Sequence, residues 1–290
     1  KKGVNMKEKI AIVTDSTSDL KKEDLKKYGI ESIPLKVIYS DQQYTDRVDI
    51  TPEEVYNNME DEIPTTSMPS PQEIMDTYSK LKDKGYTHII SIHISSGLSA
   101  TYNNCQMVAD QIEGITVKVI DSMMLSMGLG RLVLYAKNLV DSGNLTFAEI
   151  IEKVENKKEK IEVFFVVETL KYLKKGGRIG KVSGTIAQLL NIKPIISIDD
   201  DGEYFTFDKV RGRNRSLKKM YSIIKDKIED GKEYCIDLLH AAAEKEASGL
   251  LSKFENLPSI TETLLGEISP VMVVHTGPGL IGIVLTELEK

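Results

Sequence analysis

The sequence contains only two cysteines, Cys105 and Cys235, and no tryptophan. The cysteines lack CxxC spacing, which argues against a disulfide scaffold and against a thiolate metal site. The longest apolar runs, at residues 163–167 and 281–285, fall far short of the roughly 18 residues that cross a bilayer. Residues 1–9 carry charge but no apolar stretch typical of a secretion signal. We therefore expect a cytoplasmic protein whose membrane contact is at most transient.

An excess of basic residues is also missing. The chain has 38 Lys and Arg against 44 Asp and Glu, for a formal net charge of −6. Nucleic-acid binding needs a basic face that neutralises phosphates, so no nucleic-acid partner is expected and a DNA-binding regulator is disfavoured. One local exception is a basic stretch over residues 209–219.

The motifs of the common catalytic and metal sites are missing as well. The sequence shows no nucleophile elbow, no phosphate-binding loop of the Walker type, no HExxH and no EF-hand spacing. We therefore predict neither a metal site nor a cofactor.

The 290 residues are 41% hydrophobic and 28% charged, which is typical of a folded chain of about two domains. In the first half, strands alternate with helical stretches, a pattern that predicts a parallel sheet with helices on both faces. In the second half, closely spaced strands at 195–198 and 204–210 predict an antiparallel hairpin. The predicted fold class is α/β with two domains. These are an N-terminal parallel α/β sheet domain over residues 1–158 and a C-terminal mixed-sheet α+β domain over residues 159–290, divided at the charged run 157–160.

Hydroxyl side chains cluster after the predicted strands of the N-terminal domain. They lie at residues 15–18, 65–67, 95–101 and 121–122. Ligands of open α/β sheets bind at the carboxyl ends of strands, where helix N-termini offer N–H groups to anions. These segments therefore suit a carboxylate or a phosphate, although each hydroxyl can equally cap its own helix.

His275 is a second candidate. It follows the apolar residues 271–274, which we interpret as a strand, and it precedes two glycines that allow another group to approach closely. A structural and a functional role are equally open for His275, whereas the other three histidines lie in or near apolar strands and are interpreted as structural. Residues 176–178, Gly-Gly-Arg, either hold a phosphate or form an ordinary turn.

Seven segments in series resemble the DegV family, whose bacterial members include the fatty-acid-binding subunits of fatty acid kinase. The resemblance covers nearly the whole chain. The segments are DSTSD at 15–19, PTTSMPS at 64–70, SSGLSATY at 95–102, KKGGRI at 174–179, KPI at 193–195, KVR at 209–211 and HTGPG at 275–279.

The resemblance implies a carrier that holds one long-chain fatty acid in an internal tunnel, which the C-terminal domain completes. The carboxylate is expected near the domain junction. The residues implied to bind it are Thr65 or Thr66, Ser96 with its neighbours Ser95 and Gly97, and His275 with Thr276 and Gly277.

The resemblance also implies a protein partner. The stretch around Arg211 and Arg213 resembles the family surface that docks the catalytic subunit of fatty acid kinase, which would phosphorylate the bound acid to an acyl-phosphate. The chain itself is then expected to be non-catalytic, with the fatty acid as its ligand. Alternatively, these arginines belong to a solvated strand end and keep the edge of the sheet soluble.

Two residues depart from the family pattern: Met68 stands where Gln is frequent, and Ala100 where Gly is frequent. Neither is an implied head-group residue. A different class of function also remains open at the same strand ends, namely an enzyme acting on a small phosphorylated or carbonyl substrate, with His275 as acid or base and Asp15 as its partner.

Overall fold

The computed structural model describes residues 8–185 and 192–289. The strands are β1 (Ile10–Asp15), β2 (Glu31–Ile33), β3 (Lys36–Ile38), β4 (Gln43–Thr45), β5 (Thr65–Ser67), β6 (His88–His93), β7 (Thr116–Asp121), β8 (Ile161–Val166), β9 (Ile192–Ile198), β10 (Tyr204–Arg211), β11 (Tyr234–His240), β12 (Ile260–Glu267) and β13 (Ile281–Glu287). The helices are α1 (Lys22–Tyr28), α2 (Pro52–Asn58), α3 (Pro71–Asp83), α4 (Thr101–Ala109), α5 (Ser126–Ser142), α6 (Phe147–Lys157), α7 (Lys171–Lys175), α8 (Arg213–Lys227), α9 (Glu244–Phe254) and α10 (Pro270–Thr276). No helix within the described ranges is long and apolar enough to cross a membrane.

The first sheet is parallel, with strand order β2-β1-β6-β7. Successive side chains of a strand point to opposite faces. On β1, Ala11 and Val13 pack with α3 and α4, whereas Ile12 joins the core cluster that contains α5. The prediction of a parallel sheet covered by helices on both faces is therefore confirmed.

A small antiparallel sheet, β4-β3-β5, lies beside the first one. The sequence predicts a single strand over residues 32–39, and this is wrong. The strand breaks at Pro34, which has no N–H for a strand ladder, so β2 stays with β1 while β3 joins the small sheet. The prolines of residues 63–69 predict a loop there, but residues 65–67 form β5.

The second sheet is mixed, in the order β10-β9-β8-β13-β11-β12. Only the β11–β12 pair within it is parallel, and the predicted β9–β10 hairpin is present. The mixed-sheet prediction is therefore confirmed, but β12 and β13 were not predicted. In the sequence, residues 281–285 form an apolar run, and a short run of this kind fits a buried strand as well as a buried helix segment.

Residues 271–274 form helix α10 rather than the expected strand. Ser269 precedes the helix in an extended conformation and Pro270 occupies its first turn, where the missing N–H of proline costs nothing. The helix ends at Gly277, whose φ of +71° favours glycine. His275 therefore lies in the last turn of a helix and not at the end of a strand.

Helix α5 lies between the two sheets, and two glycines allow this approach. A Cβ placed on Gly128 would lie 2.8 Å from Cγ2 of Val163, and one placed on Gly130 would lie 2.6 Å from the carbonyl oxygen of Ser18. One large core cluster therefore includes residues of both halves. The division into domains at residue 158 stays a prediction; the chain makes a 3-10 turn at Lys158–Lys160 between α6 and β8.

The sequence also predicts a helix from about residue 180 through Leu190. Gly180–Thr185 form a 3-10 helix. The rest of this prediction lies outside the described residues. The same holds for Ile186, Leu189 and Leu190, which belong to an apolar cluster that the sequence assigns to ordinary core packing in preference to a tunnel wall.

Candidate ligand-binding site

Helix α10 is fixed by two buried carboxylates. Asp19 accepts a hydrogen bond from the N–H of Ser269 at 2.8 Å, and Asp46 accepts one from the N–H of Val271 at 3.0 Å. Burial raises the pKa of Asp46 to about 7. These contacts at the start of the helix set the position of His275 at its end.

His275 contacts the small sheet directly. Its Nε2 lies 2.8 Å from Oγ1 of Thr66 in β5. Neighbouring strand residues point to opposite faces, and Thr65 is accordingly exposed while Thr66 is half-buried. Of the two threonines that the sequence left open, the structure therefore brings Thr66 to His275.

The imidazole of His275 is neutral near pH 7. Burial, together with the charge of Arg178, lowers its pKa to about 4. Its Nδ1 is buried without a hydrogen-bond partner and packs against Gly176, on which a Cβ would lie only 2.2 Å from that nitrogen. A bare lone pair fits this contact better than an N–H, so we assign the proton to Nε2. His275 then donates to Thr66 and leaves the Thr66 hydroxyl free to donate to a ligand.

Arg178 brings a positive charge to the same place. Its Nε donates to the carbonyl of Leu98 at 3.3 Å, and its Nη1 donates to the carbonyl of Gly176 at 2.6 Å. The sequence left residues 176–178 open between a phosphate-holding segment and an ordinary turn. The structure places the guanidinium beside His275, where it suits an anionic or strongly polar group.

These side chains line the polar part of a cavity of about 50 Å³ that also has apolar walls, and we call it the polar cavity. Its lining includes Thr17, Thr66, Ser67, Ser99, Arg178, His275 and Thr276.

A second, almost wholly apolar cavity of about 20 Å³ lies next to it. Its lining includes Val163, Phe165, Leu239, Ile268, Leu280 and Val284. Four residues line both cavities and separate them: Leu125, Tyr204, Met272 and Thr276. A polar end and an apolar end therefore share one wall between the two sheets.

A family model described as "Uncharacterised protein, DegV family" matches residues 9–288. The chain belongs to the DegV family. It is 48% identical over 281 residues to a DegV domain-containing protein of Clostridium acetobutylicum, covering 97% of this chain and 99% of that protein. It is 42% identical to one of Clostridium perfringens, covering 95% of this chain and 98% of that protein. The family resemblance seen in the sequence is thus confirmed.

Solved DegV-family structures share the fold. A DegV-family protein of Thermus thermophilus described by its fatty acid binding superposes with a TM-score of 0.91 at 30% identity, covering 97% of this chain and all of that one (100%). DegV of Bacillus subtilis, described as a fatty acid binding protein, gives a TM-score of 0.90 at 29% identity over 97% and 100% of the two chains. The predicted DegV-like α/β fold is confirmed.

The SSGLS turn of this DegV chain brings Ser99 to the lining of the polar cavity. Ser95 is buried and donates to the carbonyl of Gly202 at 2.8 Å, and the N–H of Ser96 faces the carboxylate of Asp121 at 3.2 and 3.3 Å. Ser99 lines the polar cavity, whereas Ser95, Ser96 and Gly97 lie outside its lining. A direct role of Ser96 in ligand binding stays a prediction.

Gly97 belongs to the contact between the two halves. A Cβ on Gly97 would lie 2.7 Å from the carbonyl oxygen of Gly202, in the turn of the β9–β10 hairpin. Only a glycine allows the SSGLS turn to pack this closely. The turn is therefore held by the second half of the chain while Ser99 faces the cavity.

Thr276 and Gly277 complete the HTGPG segment in different ways. Thr276 lines both cavities, and its hydroxyl donates to the carbonyl of Met272 at 2.9 Å. Gly277 packs on the ring of Tyr172, and a Cβ placed on Gly277 would lie only 2.1 Å from Cδ2 of that ring. Thr276 thus lies at the boundary between the two cavities, and Gly277 allows α7 to approach α10.

The two arginines expected to dock a partner differ. Arg211 is exposed at the end of β10, whereas Arg213 is largely engaged within the chain. Its Nη2 lies 2.8 Å from Glu246, and its Nη1 lies 3.2 Å from Glu168. The charge of Arg213 is therefore compensated internally, which leaves Arg211 as the better candidate for a contact with another molecule.

The alternative pairing of His275 with Asp15 is not formed in the described chain. The buried carboxylate of Asp15 faces His93 at 3.0 Å, and the hydrogen-bond partner of His275 is Thr66. His275 and Asp15, the pair considered for an enzyme at this site, are therefore not in contact.

Sequence reasoning missed Tyr204 and Met272, which separate the two cavities. Tyr204 is fully buried, stacks edge-on against Phe165 with ring centroids 5.0 Å apart, and has its pKa raised by that burial. Nothing local in the sequence marks these residues. The alternation of β10 and the helical spacing of α10 could have placed them on inward faces.

Proposed function

We propose that this DegV-family chain binds a long-chain fatty acid, with its carboxyl group in the polar cavity and its acyl chain in the apolar cavity. The observation that carries the proposal is the wall shared by the two cavities, since a single amphiphile has the same division into a polar end and an apolar end. The fatty acid binding described for the structures from Thermus thermophilus and Bacillus subtilis supports it.

The chemistry of each end supports this orientation. Burying an acyl chain contributes about 0.8 kcal/mol per methylene, so the affinity comes mainly from the apolar end. The carboxyl group needs several donors there, because a buried polar group without partners is costly. Thr66, Arg178 and Ser99 supply such donors around the polar cavity.

The cavities are smaller than the ligand. Together they hold only a few water-sized volumes, so a long acyl chain enters only if the wall between them moves. Met272 is suited to this movement because an unbranched thioether side chain repacks easily. Binding is therefore expected to join the two cavities into one tunnel.

We further propose that the chain presents the bound carboxyl group to a partner kinase rather than reacting with it. Within the described chain, His275 contacts Thr66 and lies beside the positively charged Arg178 rather than beside a carboxylate, which supports a binding role. The exposed Arg211 is the candidate docking residue, while the internally paired Arg213 acts mainly within the chain.

Mass spectrometry of lipids extracted from the purified protein under denaturing conditions tests the main proposal. A carrier should release a long-chain fatty acid in near-stoichiometric amount. After removal of the lipid, calorimetric titration with oleic acid should show saturable binding to one site. The absence of both co-purified lipid and saturable binding would refute the proposal. A polar phosphorylated ligand in the extract would favour the enzyme alternative.

A further inference from the structure

A buried chain of hydrogen bonds lies behind the polar cavity, and nothing in the proposed function uses it. At its centre is Asp15, the last residue of β1. One carboxylate oxygen accepts from the backbone N–H of Thr17 at 2.9 Å and from the Thr17 hydroxyl. The other accepts from Nδ1 of His93 and from the N–H of Ile94, both at 3.0 Å. Four donors therefore compensate this carboxylate without any ligand.

This chain of hydrogen bonds continues on the far side of His93. Nε2 of His93 lies 2.7 Å from the hydroxyl of Ser91, which accepts a hydrogen bond from Tyr78 at 2.8 Å. Asp15, Ser91, His93 and Tyr78 are all completely buried. In either charge state of His93, its Nδ1–H faces Asp15. A buried network whose members are all satisfied holds them in one geometry.

This network fixes the polarity of Thr17. A threonine hydroxyl has one proton to donate and two lone pairs to accept with. The proton is committed to Asp15, which as a carboxylate can only accept. Towards any further group the Thr17 oxygen is therefore an acceptor. Thr17 is completely buried and lines the polar cavity together with Thr66.

Thr66 has the opposite polarity. It accepts from Nε2 of His275 in the tautomer assigned above, so its own proton remains available to a ligand. The polar cavity thus contains one hydroxyl that accepts and one that donates. Arg178 carries a positive charge beside the cavity and favours an anion, but two of its N–H donors are already bonded to the carbonyls of Leu98 and Gly176.

We propose that Thr17, held by the positioning residues Asp15 and His93, is a specificity-determining residue that accepts a hydrogen bond from the ligand head group. The cavity then selects a head group with a carbonyl oxygen for Thr66 and a proton for Thr17. An un-ionised carboxylic acid and a primary amide have both, a carboxylate lacks the proton, and a methyl ester offers the carbonyl alone. This inference rests on the proposed fatty-acid binding.

The test compares oleamide with methyl oleate, which share one acyl chain and differ in the proton offered to Thr17. One neutral hydrogen bond is worth on the order of tenfold in affinity, so the delipidated protein should bind oleamide about tenfold more tightly than methyl oleate. The variant Thr17→Val should bind the two with nearly equal affinity, and Thr17→Ser should restore the preference.

Thr14→Val is the matched control. Thr14 lies on the same strand, is completely buried, has a hydroxyl without a hydrogen-bond partner and lies outside the cavity lining. Its replacement should leave the ratio of affinities unchanged. If Thr17→Val fails to fold, the carbonyl ¹³C shift of bound, labelled oleic acid in the unaltered protein decides: an un-ionised shift at pH 8 supports the inference, and a carboxylate shift overturns it.

The outcomes separate the two proposals. Equal affinities of the unaltered protein for oleamide and methyl oleate, or a preference that survives in Thr17→Val, would overturn the role of Thr17 while leaving fatty-acid binding intact. If oleic acid, oleamide and methyl oleate all fail to bind, the proposed function itself is wrong.

Discussion

Arg131 in α5 holds the buried carboxylate of Asp237 in β11 with two hydrogen bonds. Its Nε lies 2.8 Å from one carboxylate oxygen and its Nη2 lies 2.6 Å from the other. The pair joins the helix between the sheets to the second sheet, close to the wall of the apolar cavity formed by Leu239. Burial raises the pKa of Asp237 even though Arg131 opposes this shift.

Removing Arg131 should therefore destabilise the fold strongly. Leaving a buried charge without its partner costs about 3–5 kcal/mol, and we expect this loss for Arg131→Leu at pH 8 in urea denaturation. The loss should be smaller at pH 5, because the lone Asp237 then takes up a proton. Lys137→Leu on the same helix removes only the surface pair with Asp141 and should cost less than about 1 kcal/mol. Similar losses in both variants would contradict the assigned importance of the Arg131–Asp237 pair.

The lowered pKa of His275 predicts a pH-dependent contribution to stability. In the unfolded chain its pKa is about 6.5, and in the folded chain it is about 4. Between these values the unfolded state binds the proton, so the contribution of His275 to the free energy of unfolding rises from pH 4 to 6.5 and then levels off. Asp46 contributes the opposite slope, since burial raises its pKa to about 7.

The comparison must therefore be between variants. We expect the free energy of unfolding of His275→Gln, minus that of the unaltered protein, to be about 2 kcal/mol higher at pH 4.5 than at pH 7, because only the unaltered protein loses the His275 contribution as the pH falls. Urea denaturation at the two pH values measures this difference. A difference that is the same at both pH values would show that His275 is not held neutral in the folded protein.

Thr65 and Thr66 offer a matched pair for the polar cavity. Replacing Thr66 by Val removes the donor beside His275 and should weaken oleic acid binding about tenfold. Thr65→Val, which changes an exposed neighbour on the opposite face of β5, should leave the affinity unchanged. A larger effect of Thr65→Val would place the ligand on the other side of the strand.

The sequence predicts much of this architecture and part of the site. Alternating strands and helices indicate the first sheet, since their periodicity is local. The sequence does not show that Ser99, rather than Ser96, lies beside the cavity. The orientation of the SSGLS turn depends on its contact with Gly202, and Ser95 and Gly202 are 107 residues apart in the chain. For the same reason, the local sequence does not reveal that Arg213 pairs with Glu246, which lies 33 residues away in the chain.

Gly97 should be intolerant of a side chain. In Gly97→Ala the added methyl group meets the carbonyl of Gly202, and relief requires a backbone shift that costs about 1–3 kcal/mol. Because Leu98 and Ser99 follow directly, oleic acid binding should weaken as well. In Gly249→Ala, where α9 has open space, a gain of about 0.5–1 kcal/mol is expected. Thermal denaturation and calorimetry check both variants, and a neutral Gly97→Ala would contradict the packing argument.

Charge reversal at Arg211 should separate lipid binding from presentation to a kinase. Arg211→Glu changes an exposed charge at the end of β10, so the variant should keep its bound lipid and its stability. Phosphorylation of the bound acid by a cognate kinase should fall, most clearly at low salt, because electrostatic docking acts mainly on the rate of association.

Lys253→Glu makes the same change of charge at an exposed position on α9 and should leave phosphorylation unaffected. Arg213→Glu would disrupt the ion pairs with Glu246 and Glu168, so its stability should fall together with phosphorylation. Turnover of Arg211→Glu equal to that of Lys253→Glu would remove Arg211 from the docking surface, because only a contact at that position distinguishes the two substitutions.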